Sequence, residues 1–277
     1  MSTTTAISAV DQNEVNSILA ALQGTGGDDD IIKVPFLKVQ YDTEDKQGRD
    51  VKRGSFTMSD MEIPLYCDTV KIRVLAQHFQ YRESDPQTYK IVNKTVLMDD
   101  MRKREPRDRK GTLRCGRPDA KTLKQLSEED QAMWRKKVVA FRIIRGLVTG
   151  AGKTAEGETI AFENKPFQMF LKGINFMPFE DQVIKALPGS KHMHDVWIDL
   201  TSKKDKKAFV VGFDIDHNAE AVMDTDTVET LKVFYDMARV ENEQIEEGYK
   251  SSAFERQAMD AAQTALDGAD DLEADLV

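Results

Sequence analysis

The sequence has only two cysteines among 277 residues, Cys67 and Cys115, and no run of about 18 apolar residues. Two isolated cysteines make neither a disulfide framework nor a Cys-rich metal cage, and they fit a reducing compartment. Without a long apolar run, no membrane-spanning helix is expected, and the chain is read as having no membrane partner. The opening Met1–Val15 stretch has neither a basic start nor an apolar core, so it does not read as a secretory signal; the expected location is cytoplasmic. No internal repeat is present. A phosphate-binding loop is also missing: Gly150-Ala-Gly-Lys-Thr154 has Leu147 where the pattern needs its first glycine, and reads as a hairpin turn.

Charge is plentiful but unevenly placed. The formal net charge is −9. Residues 71–153 nevertheless carry 21 Lys/Arg against 10 Asp/Glu, while residues 214–277 carry 4 against 18. A basic middle and an acidic end in one chain is the most informative property of the composition.

The length suits one large domain or two small ones, and an apolar content of 40% is enough for a sizeable core. Residues 11–23 read as a short amphipathic helix, with Asp11 and Glu14 as a capping box, followed by a Gly/Asp linker to residue 30. From Ile31 the pattern turns to period two: Val34–Tyr41, Gly54–Met58, Val70–Leu75 and Ile91–Leu97. Residues 119–137 read as one or two helices, with Ser127 as an N-cap. Val138–Thr149 and Thr159–Phe162 follow as strands. Phe167–Phe170 begins a helix or turn continuing through Phe179–Leu187, and Val196–Thr201 and Ala208–Asp214 form a last strand pair.

Short strands with helical insertions predict a mainly β fold of the α+β kind. An OB-fold-like Greek-key barrel is the best match. The expected organisation is an N-terminal helix and linker over 1–30, the OB-like domain over 31–217, C-terminal helices over 218–266 (Thr227–Glu247 and Ser252–Leu266), and a disordered acidic tail over 267–277.

The basic middle predicts the function. Fixed cations release counterions from phosphates, and exposed rings give unpaired bases a surface to stack on. The sharpest basic cluster is Arg102, Lys103, Arg104, Arg107, Arg109 and Lys110, followed by Arg114 and Arg117. Phe79, Tyr81 and Tyr89 interleave with Arg73, Arg82 and Lys90, and Phe141 with Lys136, Lys137 and Arg142. These residues are the expected single-strand contacts. The tail residues Asp270, Asp271, Leu272, Glu273, Asp275, Leu276 and Val277 form a candidate partner-binding segment, able also to compete for a basic groove.

The β-rich body, the basic aromatic middle and the acidic end resemble bacteriophage replication single-stranded DNA-binding proteins. So do the stretches Val34-Pro-Phe-Leu-Lys-Val-Gln-Tyr-Asp42, Arg53-Gly-Ser-Phe56 and Gly111-Thr-Leu-Arg-Cys-Gly-Arg117. The resemblance covers roughly residues 31–217 plus the tail. It implies binding of single-stranded DNA in replication or recombination without chemistry or cofactor. It also implies recruitment of a polymerase, helicase or primase through the tail; a homo-oligomer is a further candidate partner, but the sequence does not set the oligomeric state. Such tails often end in a bulky aromatic residue, whereas this one ends Leu276-Val277.

Two alternatives stand beside this reading. Asp214 and Asp216 at a strand end could hold Mg²⁺ for a nuclease, with Glu158, Glu163 or Asp199 completing the site. A virion or scaffold component would use the helices for assembly. His192-Met-His194 has a metal-compatible spacing but reads as a surface loop, with no metal expected.

Overall fold

The computed structural model describes residues 34–45, 48–58, 63–101, 106–111, 120–206, 208–219 and 221–274; for Ala120 and 256–274 it describes the backbone alone. The helix and linker expected over 1–30 lie outside the described residues. So do Arg102, Lys103, Arg104, Arg114, Cys115, Arg117, Asp275, Leu276 and Val277.

Among the described residues, nine antiparallel strands form one sheet. Three short ones, β1 (Leu37–Val39), β2 (Phe56–Met58) and β3 (Leu65–Cys67), make a meander. The long strands β4 (Val70–Ser84) and β6 (Val138–Lys153) pair along most of their length. β5 (Ile91–Lys94) pairs with the end of β4, and β7 (Thr159–Leu171) pairs with β6. The hairpin of β8 (Trp197–Asp205) and β9 (Ala208–Asp216) joins β4 at Val70–Ile72. The order is β1-β2-β3-β6-β4-β8-β9, with β5 and β7 off that path. Two short helices, α1 (Ala120–Gln125) and α2 (Glu128–Lys137), precede β6. Ser127 caps α2 through its hydroxyl, which accepts the Asp130 N–H at 3.1 Å.

The mainly β expectation holds. The closed barrel does not: the sheet is open, because β4, β8 and β9 continue past β6 instead of returning to β1. One isolated parallel bridge, Phe36 to Gln168, links the β1 edge to β7, with the Gln168 N–H donating to the Pro35 carbonyl at 2.9 Å.

Alternation of side chains sets the core. Leu37, Phe56, Met58, Leu65, Ile72, Val74, Ile144, Val148, Phe167, Met169, Ile198, Leu200 and Phe213 meet on one face. Gly146 sits where β4 bulges between Val74 and Ala76; a Cβ there would come within 1.9 Å of the Arg73 carbonyl, so only glycine fits. The Phe167–Phe170 stretch is strand, not the expected helix or turn, because its pairing with β6 extends to Leu171. After it, a 3-10 turn (Gly173–Asn175), α3 (Phe176–Phe179) and a π-helical turn (Glu180–Ile184) form a strap across the β9 edge. Asn175 and Gln182 satisfy that edge: their side-chain oxygens accept the Val211 and Phe213 N–H groups at 2.8 Å each.

A second correction concerns the C-terminal helices. One helix, α4 (Thr225–Ala274), replaces the two expected, and its backbone continues through most of the segment read as a disordered tail. No proline interrupts it, and the stretch from Ala253 is rich in Ala, the strongest helix former. Asp224 caps its start by accepting the Thr227 N–H at 2.8 Å. Phe234, Ala238 and Ile245, four and seven residues apart, bury one stripe against the sheet.

Candidate nucleic-acid interface

A trough of about 920 Å³ lies between β1, the end of β7, the C-terminal turn of α2 and the β4–β5 turn. Its floor is Phe36, Leu37, Val39, Val139, Met169, Phe170, Leu171 and Val211. Its rim carries Lys38, Arg135, Lys136 and Lys172, all exposed. None of its lining residues is Asp or Glu. Two tyrosines stand on the rim, Tyr41 at 43% and Tyr89 at 82% exposure. In the wall segment after β7, Gly173 adopts φ +55°, which favours glycine. Asn175 then pins that wall to β9, its amide nitrogen donating to the Phe209 carbonyl at 3.1 Å while its oxygen takes the Val211 N–H.

Tyr89 is presented by a built turn. The Asp85 carboxylate accepts from the Gln87 N–H, the Thr88 N–H and the Thr88 hydroxyl at 3.0, 2.7 and 2.9 Å, which holds its pKa below the ordinary carboxylate range. The Tyr89 N–H donates to the Asp85 carbonyl at 2.9 Å, and Tyr89 takes φ +57°, a left-handed conformation uncommon for an aromatic residue. An exposed ring held in a strained turn is a feature of binding loops.

Positive charge lies beneath the floor as well. The Arg82 guanidinium carbon is 4.3 Å from the Phe170 ring centre and 5.0 Å from that of Phe141, and Lys172 Nζ is 5.6 Å from Phe141. Burial lowers the Arg82 pKa, with Glu241 opposing. Arg145 is buried too, with Glu241 as its carboxylate neighbour at 3.5 Å. Arg82, bonded to the neutral Gln80 amide, adds positive charge behind the Phe170 ring, whereas the Arg145 charge is offset by Glu241.

Of the residues expected to contact a single strand, Tyr89 and Lys136 line this trough, while Arg82 and Phe141 lie behind it. Lys90 is exposed beside Tyr89. Lys137 is turned away, paired with Glu83 at 3.0 Å. Arg107, Arg109 and Lys110 are exposed on the loop beside α4: Arg107 reaches Glu246 at 3.7 Å and the Tyr249 ring at 5.5 Å, and Arg109 donates to the Val92 carbonyl at 3.2 Å.

Four expected contacts are corrected. Phe79 and Tyr81 are core residues at 7% exposure, packed with Met98, Val138 and Ile245, because odd positions of this part of β4 face that cluster. Arg73 is a staple: its guanidinium donates to the carbonyls of His194, Ala221 and Val222 at 2.7, 3.3 and 2.6 Å. Arg142 is 1% exposed, bound to Gln77 and Glu180 at 2.7 and 2.8 Å and set among the rings of Phe79, Phe176 and Phe179. Sequence patterning does not single out Lys38, Tyr41, Arg135 and Lys172. Lys38 does alternate with buried Leu37 and Val39, a signal that it faces outward, whereas Tyr41 lies beyond β1 and shares their parity, so alternation gives no such signal for it. Their meeting with Lys172 depends on tertiary structure.

The other motifs resolve simply. Gly150–Lys153 lies within β6 and Thr154 opens a tight turn, so the P-loop-like segment is a hairpin. Asp216 holds Lys71 at 2.6 Å, and Asp214 faces Asp199 across β8–β9. Among the described residues, no group of three or more His, Cys, Asp or Glu is placed to hold a metal ion. His192 and His194 stack in a 3-10 turn that Asp195 caps. No helix among the described residues is long and apolar enough to cross a membrane. Compared with known proteins, the chain matches no family model, no curated protein and no solved structure.

Proposed function

We propose that the protein binds single-stranded nucleic acid, chiefly DNA in replication or recombination, along the trough rimmed by Lys38, Tyr41, Tyr89, Arg135, Lys136 and Lys172. The observation that carries this reading is the coincidence of four exposed cations, two exposed tyrosines and an apolar aromatic floor in one trough lined by no carboxylate. Cations neutralise phosphates, and each base stacked on an aromatic ring contributes roughly 1–3 kcal/mol. Duplex bases are already stacked and cannot use the tyrosines. The role proposed is binding without chemistry.

An OB-like body belongs to the same proposal. It is supported by the pairing β1–β2–β3–β6–β7 and the Phe36–Gln168 bridge back toward β1. The acidic C-terminal end of the chain then serves to recruit replication proteins and to compete for the trough.

The test is a fluorescence anisotropy titration of oligo(dT) and of a duplex of equal length, at several salt concentrations. The protein is expected to prefer the single strand. Lys38→Gln with Lys172→Gln should weaken binding and reduce the log–log salt slope by about 1.4, at ~0.7 for each phosphate left without its cation. Equal affinity for duplex, or an unchanged slope in the variant, would contradict the proposal.

A further inference from the structure

The floor of the trough is tied to α4 by an unbroken chain of side-chain contacts. Glu241 sits on the docking stripe of α4 between Ala238 and Ile245, where the spacing would put an apolar residue. Its carboxylate accepts from Lys94 at 2.7 Å, from Gln80 at 3.1 Å and from Arg145 at 3.5 Å. Burial pushes the Glu241 carboxyl up, but these three donors outweigh it and hold the group below the ordinary carboxylate range.

Gln80 is fully buried, and both ends of its amide are engaged. Its nitrogen donates to Glu241 and, at 2.8 Å, to the Thr95 carbonyl; its oxygen accepts from Arg82 Nε at 2.7 Å. Arg82 then meets Phe170 and Phe141 at the ring distances given above. Phe170 is part of the trough floor and packs on Phe36, centroid to centroid, at 5.3 Å. Breaking the Glu241–Gln80 or the Gln80–Arg82 bond leaves a polar atom of the fully buried Gln80 amide with one partner fewer, which favours the arrangement seen.

We infer that Glu241 and Gln80 are positioning residues of the trough: they hold Arg82 against Phe170 and Phe141, so that the docking of α4 governs how well the floor stacks bases. This inference rests on the single-strand reading. It separates two components of binding. The rim cations see phosphates whether or not bases are present, whereas the floor rings see only bases.

The experiment compares affinities for oligo(dT) and for an abasic oligonucleotide of the same length, with melting curves for each variant. The wild-type protein should prefer oligo(dT). Glu241→Gln, and Arg82→Lys, which keeps the charge but removes the guanidinium plate, should each lower the dT-to-abasic affinity ratio about tenfold, the equivalent of one base stack. A general structural defect would lower both affinities together and leave the ratio unchanged. An unchanged ratio in Glu241→Gln and Arg82→Lys overturns the inference while the single-strand reading stands. A wild-type protein that binds neither oligonucleotide overturns the single-strand reading itself. Should Glu241→Gln fail to fold, Arg82→Lys, at a half-buried position, decides alone.

Discussion

Single side chains in this protein divide sharply between those that hold the fold and those that face the trough. Tyr89 belongs to the second group; Tyr41 lines the trough but also packs edge-on against Phe209 at 5.5 Å, and its hydroxyl donates to the Phe209 carbonyl at 3.5 Å. Replacing either by Ala should weaken oligo(dT) binding by about 5- to 150-fold, equivalent to ~1–3 kcal/mol of stacking. The melting temperature should stay unchanged for Tyr89→Ala and fall for Tyr41→Ala, which also loses its packing on Phe209. Phe in the same place should retain most of the affinity, because the ring and not the hydroxyl is used. Phe79→Ala should do the reverse, lowering stability by about 3–5 kcal/mol as a buried cavity opens. His78 adds a pH dependence. Burial lowers its pKa from the ordinary 6.5, Arg145 lowers it further, and Asp99 and Glu241 oppose. The folded state therefore takes up a proton less readily than the unfolded chain, and stability falls as pH drops below the ordinary imidazole value. A melting series from pH 7.5 down to pH 5.5 should show this decline, and His78→Gln should flatten it.

Among the elements, β4 shows what sequence patterning reveals and what it conceals. Its alternation marks a strand, and that strand is present. Alternation alone does not say which face is covered. Phe79 and Tyr81 satisfy an interior as well as a binding surface, and packing of Met98, Val138 and Ile245 puts them in the core. Arg73 and Arg142 mislead for a related reason. A cation in a strand looks solvated until the partners supplied from distant segments, His194 and Val222 for one and Glu180 for the other, are in place. Ser127 and the strand pair β8–β9 were legible because caps and hairpins are local. The trough was only half legible, since Lys38, Lys172 and Tyr89 are far apart in sequence and meet through β1, β7 and the β4–β5 turn. On α4, Glu241 within an otherwise apolar stripe is the readable signature of a buried polar anchor. At this scale a further outcome is expected: deleting residues 267–277 should leave the melting temperature unchanged, since the stripe through Ile245 does the docking. It should also raise oligo(dT) affinity, measured by anisotropy at low salt. Affinity that stays constant or falls would show that the acidic end does not compete.

For the molecule as a whole, a net charge of −9 conceals a strongly polarised distribution. The long-range field of such a protein repels a polyanion on average, while the trough attracts it locally within a screening length of about 8–10 Å. Binding should accordingly be sensitive to salt and confined to one face. Photo-crosslinking locates that face directly: a bromouridine-substituted single strand is irradiated with the full-length protein and the adducts are mapped by mass spectrometry. Adducts at Tyr41, Tyr89 or Phe170 are the predicted result. Adducts confined to Arg107–Gly111 beside α4, or scattered over the surface, would contradict the account.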